Sequence, residues 1–264
     1  MRLALAYEWC RLRTLRSTWW LAVTTLLVTA ALAWAFGALL GNMATEVGQA
    51  PPVTEALVIM LTKSPVTPVI AGVLGVFAMG HEHRYGTIRT TLAVTPHRVT
   101  AFAAKALSIG AFSTLLAFAN LAVAWLVALP LIGGDRWEGV SLPLLVRVHL
   151  GQVLLVLGWG LAGVALGTMI RSQTAALLTL LAVPLVVEPM LRAALRSSGQ
   201  ALLTTASSFL PFTAGNAMTG VPGTDGTLLD NASQLGPLAG GLAFFAVIAL
   251  KGVSAVMLFR TRDA

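Results

Sequence analysis

Gly80–Lys105, GHEHRYGTIRTTLAVTPHRVTAFAAK, lies between two apolar runs that can each cross a bilayer, and the reading of this stretch decides the fold. Arg84, Arg89, Arg98 and Lys105 outnumber its one acid, Glu82. An excess of Lys and Arg in a short loop marks the cytoplasmic side of a membrane protein. Within the loop, Thr87–Thr95 is expected to form a short helix. Thr87 can cap its first turn, Ile88 and Leu92 share a face at i and i+4, and Pro96 stops it. A two-turn helix is marginal alone in water and needs a surface to lie against. That surface is expected to belong to another protein.

Composition agrees with a membrane chain. Of 264 residues, 57% are hydrophobic and only 10% charged, where a soluble domain carries about 25% charged residues. The mean hydropathy is +0.84. At about 20 residues per span, the length accommodates six spans with short loops and a single domain over 1–264. The net charge of +7 is distributed by membrane side rather than gathered beside aromatics, which argues against nucleic acid as a partner. The one cysteine, Cys10, cannot form an internal disulfide.

Outward from the central loop, residues 1–18 interleave Arg2, Arg11, Arg13 and Arg16 with Leu3, Leu5, Tyr7, Trp9, Leu12 and Leu15, the pattern of a basic helix lying in the interface. Trp19 and Trp20 open a first span that runs to about Leu40. The second span is expected from near Ala56 to Met79, with Gly72 and Gly75 offering a smooth face. The third takes Ala106–Leu129, the fourth about Leu144–Ile170 with a GxxxG match at Gly163 and Gly167, the fifth Thr174 to about Leu191, and the sixth about Gly236–Phe259. Residues 192–235 are too apolar for a solvated loop and too rich in Pro and Gly for a span. They are read as a re-entrant hairpin between helices 5 and 6. This all-α polytopic arrangement puts eleven cations inside (Arg2, Arg11, Arg13, Arg16, Arg84, Arg89, Arg98, Lys105, Arg171, Arg260, Arg262) and five outside (Lys63, Arg136, Arg147, Arg192, Arg196). Both termini are then expected in the cytoplasm.

Catalytic chemistry is sparse. No GxxxxGK[ST] phosphate loop, HExxH or Cys/His set with ligand spacing occurs, and His81 and His83 diverge on a helix, so no metal site is assigned. Lys251 falls within the last span, and two further polar side chains inside spans are candidates for function. Asn120 is either an interhelical hydrogen-bond partner or a substrate ligand, and Glu188 is interfacial, paired with Arg192, or functional.

The run Glu82-x-Arg84-x-Gly86-Thr87, followed by a short helix, Pro96-x-Arg98 and Lys105, resembles the ABC-2 type permeases, the membrane subunits of ATP-binding cassette exporters. In that family an acid-x-x-x-Gly-Thr element closes the second span and enters a cytoplasmic coupling helix. The resemblance implies a subunit without enzymatic activity, bound to two cytoplasmic ABC ATPase subunits and to a second permease, a copy of itself or a homologue; the high Ala, Leu and Arg usage adds the expectation of a bacterial cell membrane. ATP and Mg would be bound by the ATPase, with no cofactor in this chain. The residues expected to couple to it are Glu82, Arg84, Gly86, Thr87, Ile88, Arg89 and Leu92, moving a hydrophobic or amphipathic substrate outward or between leaflets. The alternative is a self-sufficient channel or ion-coupled transporter, which the shortage of intramembrane ionisable groups disfavours.

Overall fold

The computed structural model describes residues 1–46, 66–88, 91, 97–132, 141–220 and 235–261. Every regular element among them is helical. In chain order these are α1 (Arg2–Thr14), α2 (Arg16–Glu46), α3 (Val66–Arg84), α4 (Arg98–Ile132), α5 (Leu142–Met169), α6 (Gln173–Ala182), a π-helical turn at Val183–Val187, α7 (Glu188–Ser197), α8 (Ala201–Ser208), α9 (Pro211–Asn216), a 3-10 turn at Ala217–Thr219, and α10 (Pro237–Thr261).

Local chemistry sets several boundaries. α1 breaks at Leu15, which is extended, and the elbow is held by Trp19 Nε1 donating to the Arg13 carbonyl at 2.8 Å. Ser172 caps α6 by accepting from Ala175 N–H at 3.3 Å. Pro184 cannot donate its amide to a regular helical ladder, and the π turn begins one residue before it.

Among the described residues, five helices or helical runs are long and apolar enough to cross a membrane: Arg16–Leu39, Arg98–Leu131, Leu142–Met169, Gln173–Ser197 and Pro237–Thr261. The chain is therefore a helical, multi-pass membrane protein. The second expected span is helical as α3, but it is not one of these five, and its 19 residues end in His81, Glu82, His83 and Arg84. The proposed start of that span near Ala56 lies outside the described residues. α4 begins eight residues before the expected Ala106, because Ala101, Ala104 and Lys105 are themselves buried and extend the packed face toward Arg98.

α5 is the centre of the bundle. Within its apolar window 72% of residues are buried, against 17–33% for the other four spans, which turn wide apolar faces outward. α3 packs along it through glycine. A Cβ at Gly163 would strike the Gly72 carbonyl, and one at Gly75 would strike the Gly160 carbonyl. Gly167 approaches Val76, so the two helices run in the same direction. The GxxxG match at Gly163 and Gly167 is thus occupied within the chain, because α3 needs backbone-to-backbone approach there.

Arg192–Ser197 completes α7, and after α8 the helix α9 packs against α10 and the 3-10 turn against α5 and α10. Phe212 sits between Trp159 and Phe244, with ring centroids 4.5 and 6.1 Å away. A Cβ on Gly240 would lie 2.5 Å from the Ala214 carbonyl, so α9 reaches the backbone of α10.

Candidate functional site

Charges converge where α1, α3 and α4 meet. Glu82, one turn from the end of α3, is 2% exposed, and Lys105, two turns into α4, is 1% exposed. Lys105 Nζ donates to Glu82 Oε1 and to Glu8 Oε1, both at 2.5 Å. Arg11 Nη1 donates to Glu82 Oε1 at 2.8 Å and to the Ala78 carbonyl at 3.3 Å, and lies 3.5 Å from Glu8. Thr91 Oγ1 completes the set by donating to Glu82 Oε1 at 3.2 Å. Two carboxylates and two cations sum to zero. Removing such groups from water is costly, and mutual pairing with extra hydrogen bonds is what makes the arrangement tenable.

A cavity of about 20 Å³, room for one water-sized group, adjoins the cluster and is lined by Glu8, Arg11, Phe77, His81, Lys105 and Ser108 among others. His81, two residues past the apolar run that ends at Met79, stacks on Phe77 with centroids 4.8 Å apart. Burial pushes its pKa down, and the positive charges of Arg11 and Arg84 push it the same way.

The backbone then leaves α3 sharply. Tyr85 N–H still reaches the His81 carbonyl at 2.9 Å, and Gly86 adopts φ +68°, a left-handed conformation that an L side chain resists. Thr91 N–H donates to the Thr87 carbonyl at 3.1 Å, so a helical turn opens at Thr87. Arg84, Tyr85, Gly86 and Thr87 are exposed, with Arg84 over the Tyr85 ring at 5.6 Å. Ile88 is turned inward with Leu12, Met79 and Ile109, and so does not form the outward ridge expected of it. Arg89 and Leu92 lie outside the described residues. On the far side of the segment, Arg98 Nη1 donates to the Phe259 carbonyl at 2.8 Å, tying the start of α4 to the end of α10.

The other two polar candidates are separate from this cluster. Asn120 accepts from Thr29 Oγ1 at 2.5 Å and donates to the Leu116 carbonyl at 2.9 Å, which makes it a link between α2 and α4. Glu188 is 4% exposed and holds the start of α9. It accepts from Phe212 N–H at 3.1 Å, from Thr213 N–H at 3.0 Å and from Thr213 Oγ1 at 3.3 Å. Lys251 on α10 faces the same Phe212 ring from 5.7 Å.

Sequence reasoning missed Glu8, Arg11 and Lys105 as one unit. The available signal was Glu8 itself, the only acid before residue 46, in an otherwise basic helix and i,i+3 from Arg11. Lys105 was read as a loop end, whereas a charge inside an apolar helix requires a partner. No family model matches the sequence, and no curated protein matches it either.

Proposed function

We propose that this chain is the membrane subunit of an ATP-binding cassette exporter of the ABC-2 type. It has six spans, α3 included, with α8 and α9 forming a hairpin that re-enters the membrane between spans five and six. Both termini lie in the cytoplasm of a bacterial cell. The chain hydrolyses nothing itself: a separate ATPase binds ATP and Mg, and a second permease, a copy or a homologue, completes the pore for a hydrophobic or amphipathic cargo.

The observation that carries this reading is the Glu82 cluster. The segment between α3 and α4 is anchored through Thr91 to Glu82 of α3, which Arg11 of α1 and Lys105 of α4 hold in turn, and Arg98 ties the start of α4 to α10. A push on the exposed Arg84–Thr87 edge is then passed to several helices as a rigid unit, which is what a coupling segment must do. A flexible tether would dissipate the push.

The test is purification of the chain from its native membranes in mild detergent. A stoichiometric ATPase carrying a phosphate loop should remain bound, and Arg84→Glu with Tyr85→Ala should release it while leaving the chain's amount and melting temperature unchanged. Exposed positions are chosen because Ile88 is part of the core. Recovery of the chain alone at every salt and detergent would overturn the reading in favour of the self-sufficient transporter. Orientation has its own test: a membrane-impermeant maleimide should label the exposed Cys10 only in inside-out vesicles.

A further inference from the structure

Of the four arginines and one acid in residues 1–18, Arg11 and Glu8 are consumed by the buried cluster. The outward face of α1 and its elbow therefore carries Arg2, Arg13 and Arg16 with no acid among them, all three exposed. None of the three forms an ion pair with another described residue. On a helix of 3.6 residues per turn, Arg2 and Arg13 fall on one edge of that face, three turns apart. Leu3 and Tyr7, an i,i+4 pair, fall on the opposite edge and are 86% and 52% exposed. Beyond the elbow, Trp19 and Trp20 are also exposed, at 52% and 71%. Cys10 lies on the strip between the two edges and is exposed as well.

We infer that this face docks on anionic phospholipid headgroups of the leaflet nearest the N terminus. Chain continuity places it there: only Leu15 separates α1 from the apolar helix that begins at Arg16. One edge offers guanidinium groups suited to phosphate, and the other offers side chains that enter the acyl boundary. Burial of Glu8 against Lys105 is what makes the exposed face uniformly cationic, so the protein's own ion pairing creates the lipid site. The inference needs only the membrane character of the chain and stands whether or not an ATPase partner is found.

The native cysteine supplies the probe. The full-length chain, labelled at Cys10 with an environment-sensitive fluorophore, is placed in nanodiscs of phosphatidylcholine alone or mixed with phosphatidylglycerol. Each arginine near an anionic surface contributes roughly a five-fold shift in partitioning, so three are worth on the order of a hundredfold. The expected result is immersion of the label only with phosphatidylglycerol, reversed by salt. It should be lost in Arg2→Gln/Arg13→Gln/Arg16→Gln, restored by lysine at the same positions, and kept in Arg260→Gln, which removes an exposed cation from the far end of the chain. Equal immersion in both lipids would overturn the inference, as would a lipid response that survives the triple variant or disappears equally in Arg260→Gln. The altered side chains are all exposed, so melting temperature should not change among these variants.

Discussion

Two buried carboxylates in this molecule are satisfied in opposite ways. Glu82 is held by side-chain cations brought from two other helices, Arg11 and Lys105, whereas Glu188 is held mainly by the amides of Phe212 and Thr213 at the start of α9. Pairing by cations is symmetric: each partner is itself a buried charge that needs the other. Capping by amides is not, because losing the acid leaves neutral donors behind. The first arrangement therefore binds whole elements together at high stakes, and the second sets the position of one short helix.

The largest expected effect follows from breaking the first. Lys105→Met removes the one ammonium shared by Glu8 and Glu82 and leaves both acids short of charge, at a cost of about 3–5 kcal/mol. Thermal unfolding of the purified chain should show the loss. Adding Glu8→Gln to Lys105→Met should recover part of it, because the uncompensated acid is removed together with its partner. A double-mutant cycle on the two positions would read a coupling of roughly 0.5–3 kcal/mol. A cycle that closes at zero would mean that Glu8 and Lys105 do not share the interaction drawn between them.

Breaking the second arrangement is expected to cost less and to act locally. Glu188→Ala orphans two buried amides for about 1–3 kcal/mol. Hydrogen exchange should quicken at Phe212 and Thr213 in this variant and stay unchanged there in Lys105→Met. If both variants loosened α9 equally, the two sites would be one cooperative unit and the contrast between them would fail.

How much of this was legible in the sequence differs for the same physical reason. Long apolar runs fix their own meaning, so the fourth and sixth spans, expected at about 144–170 and 236–259, appear as α5 and α10 almost at those limits. The left-handed turn at Gly86 likewise has a local requirement, since glycine adopts it at little cost. Partners distant in sequence were not legible. Glu82 pairs with Arg11 across 71 residues and Lys105 with Glu8 across 97, and no local pattern encodes which acid meets which base. The role of Glu188 was hidden more deeply, because its main partners are backbone amides, which every residue but proline carries. The glycines of α5 show a third limit: their spacing announced close packing but left open whether the neighbour was another chain or α3.

A finer comparison uses the hydroxyl that each carboxylate accepts. Thr91→Val and Thr213→Val each remove one donor, at 3.2 and 3.3 Å, from an acid that keeps stronger partners, and each should cost about 0.5–1.5 kcal/mol. Equal stability losses would still leave the two substitutions distinguishable. Thr213 remains attached to Glu188 through its own amide, so α9 should stay in place and its exchange should barely change. Thr91 reaches Glu82 through its side chain, so Thr91→Val should release the segment after Gly86 from α3 and speed its proteolysis while α3 and α4 remain joined through Lys105. Were Thr91→Val to leave that segment as protected as before, its anchorage would come from contacts other than this hydroxyl, among them Ile88, which is buried with Leu12 and Met79. The comparison would then be between a carboxylate that positions backbone, Glu188, and one that joins helices without positioning the segment beside it, Glu82.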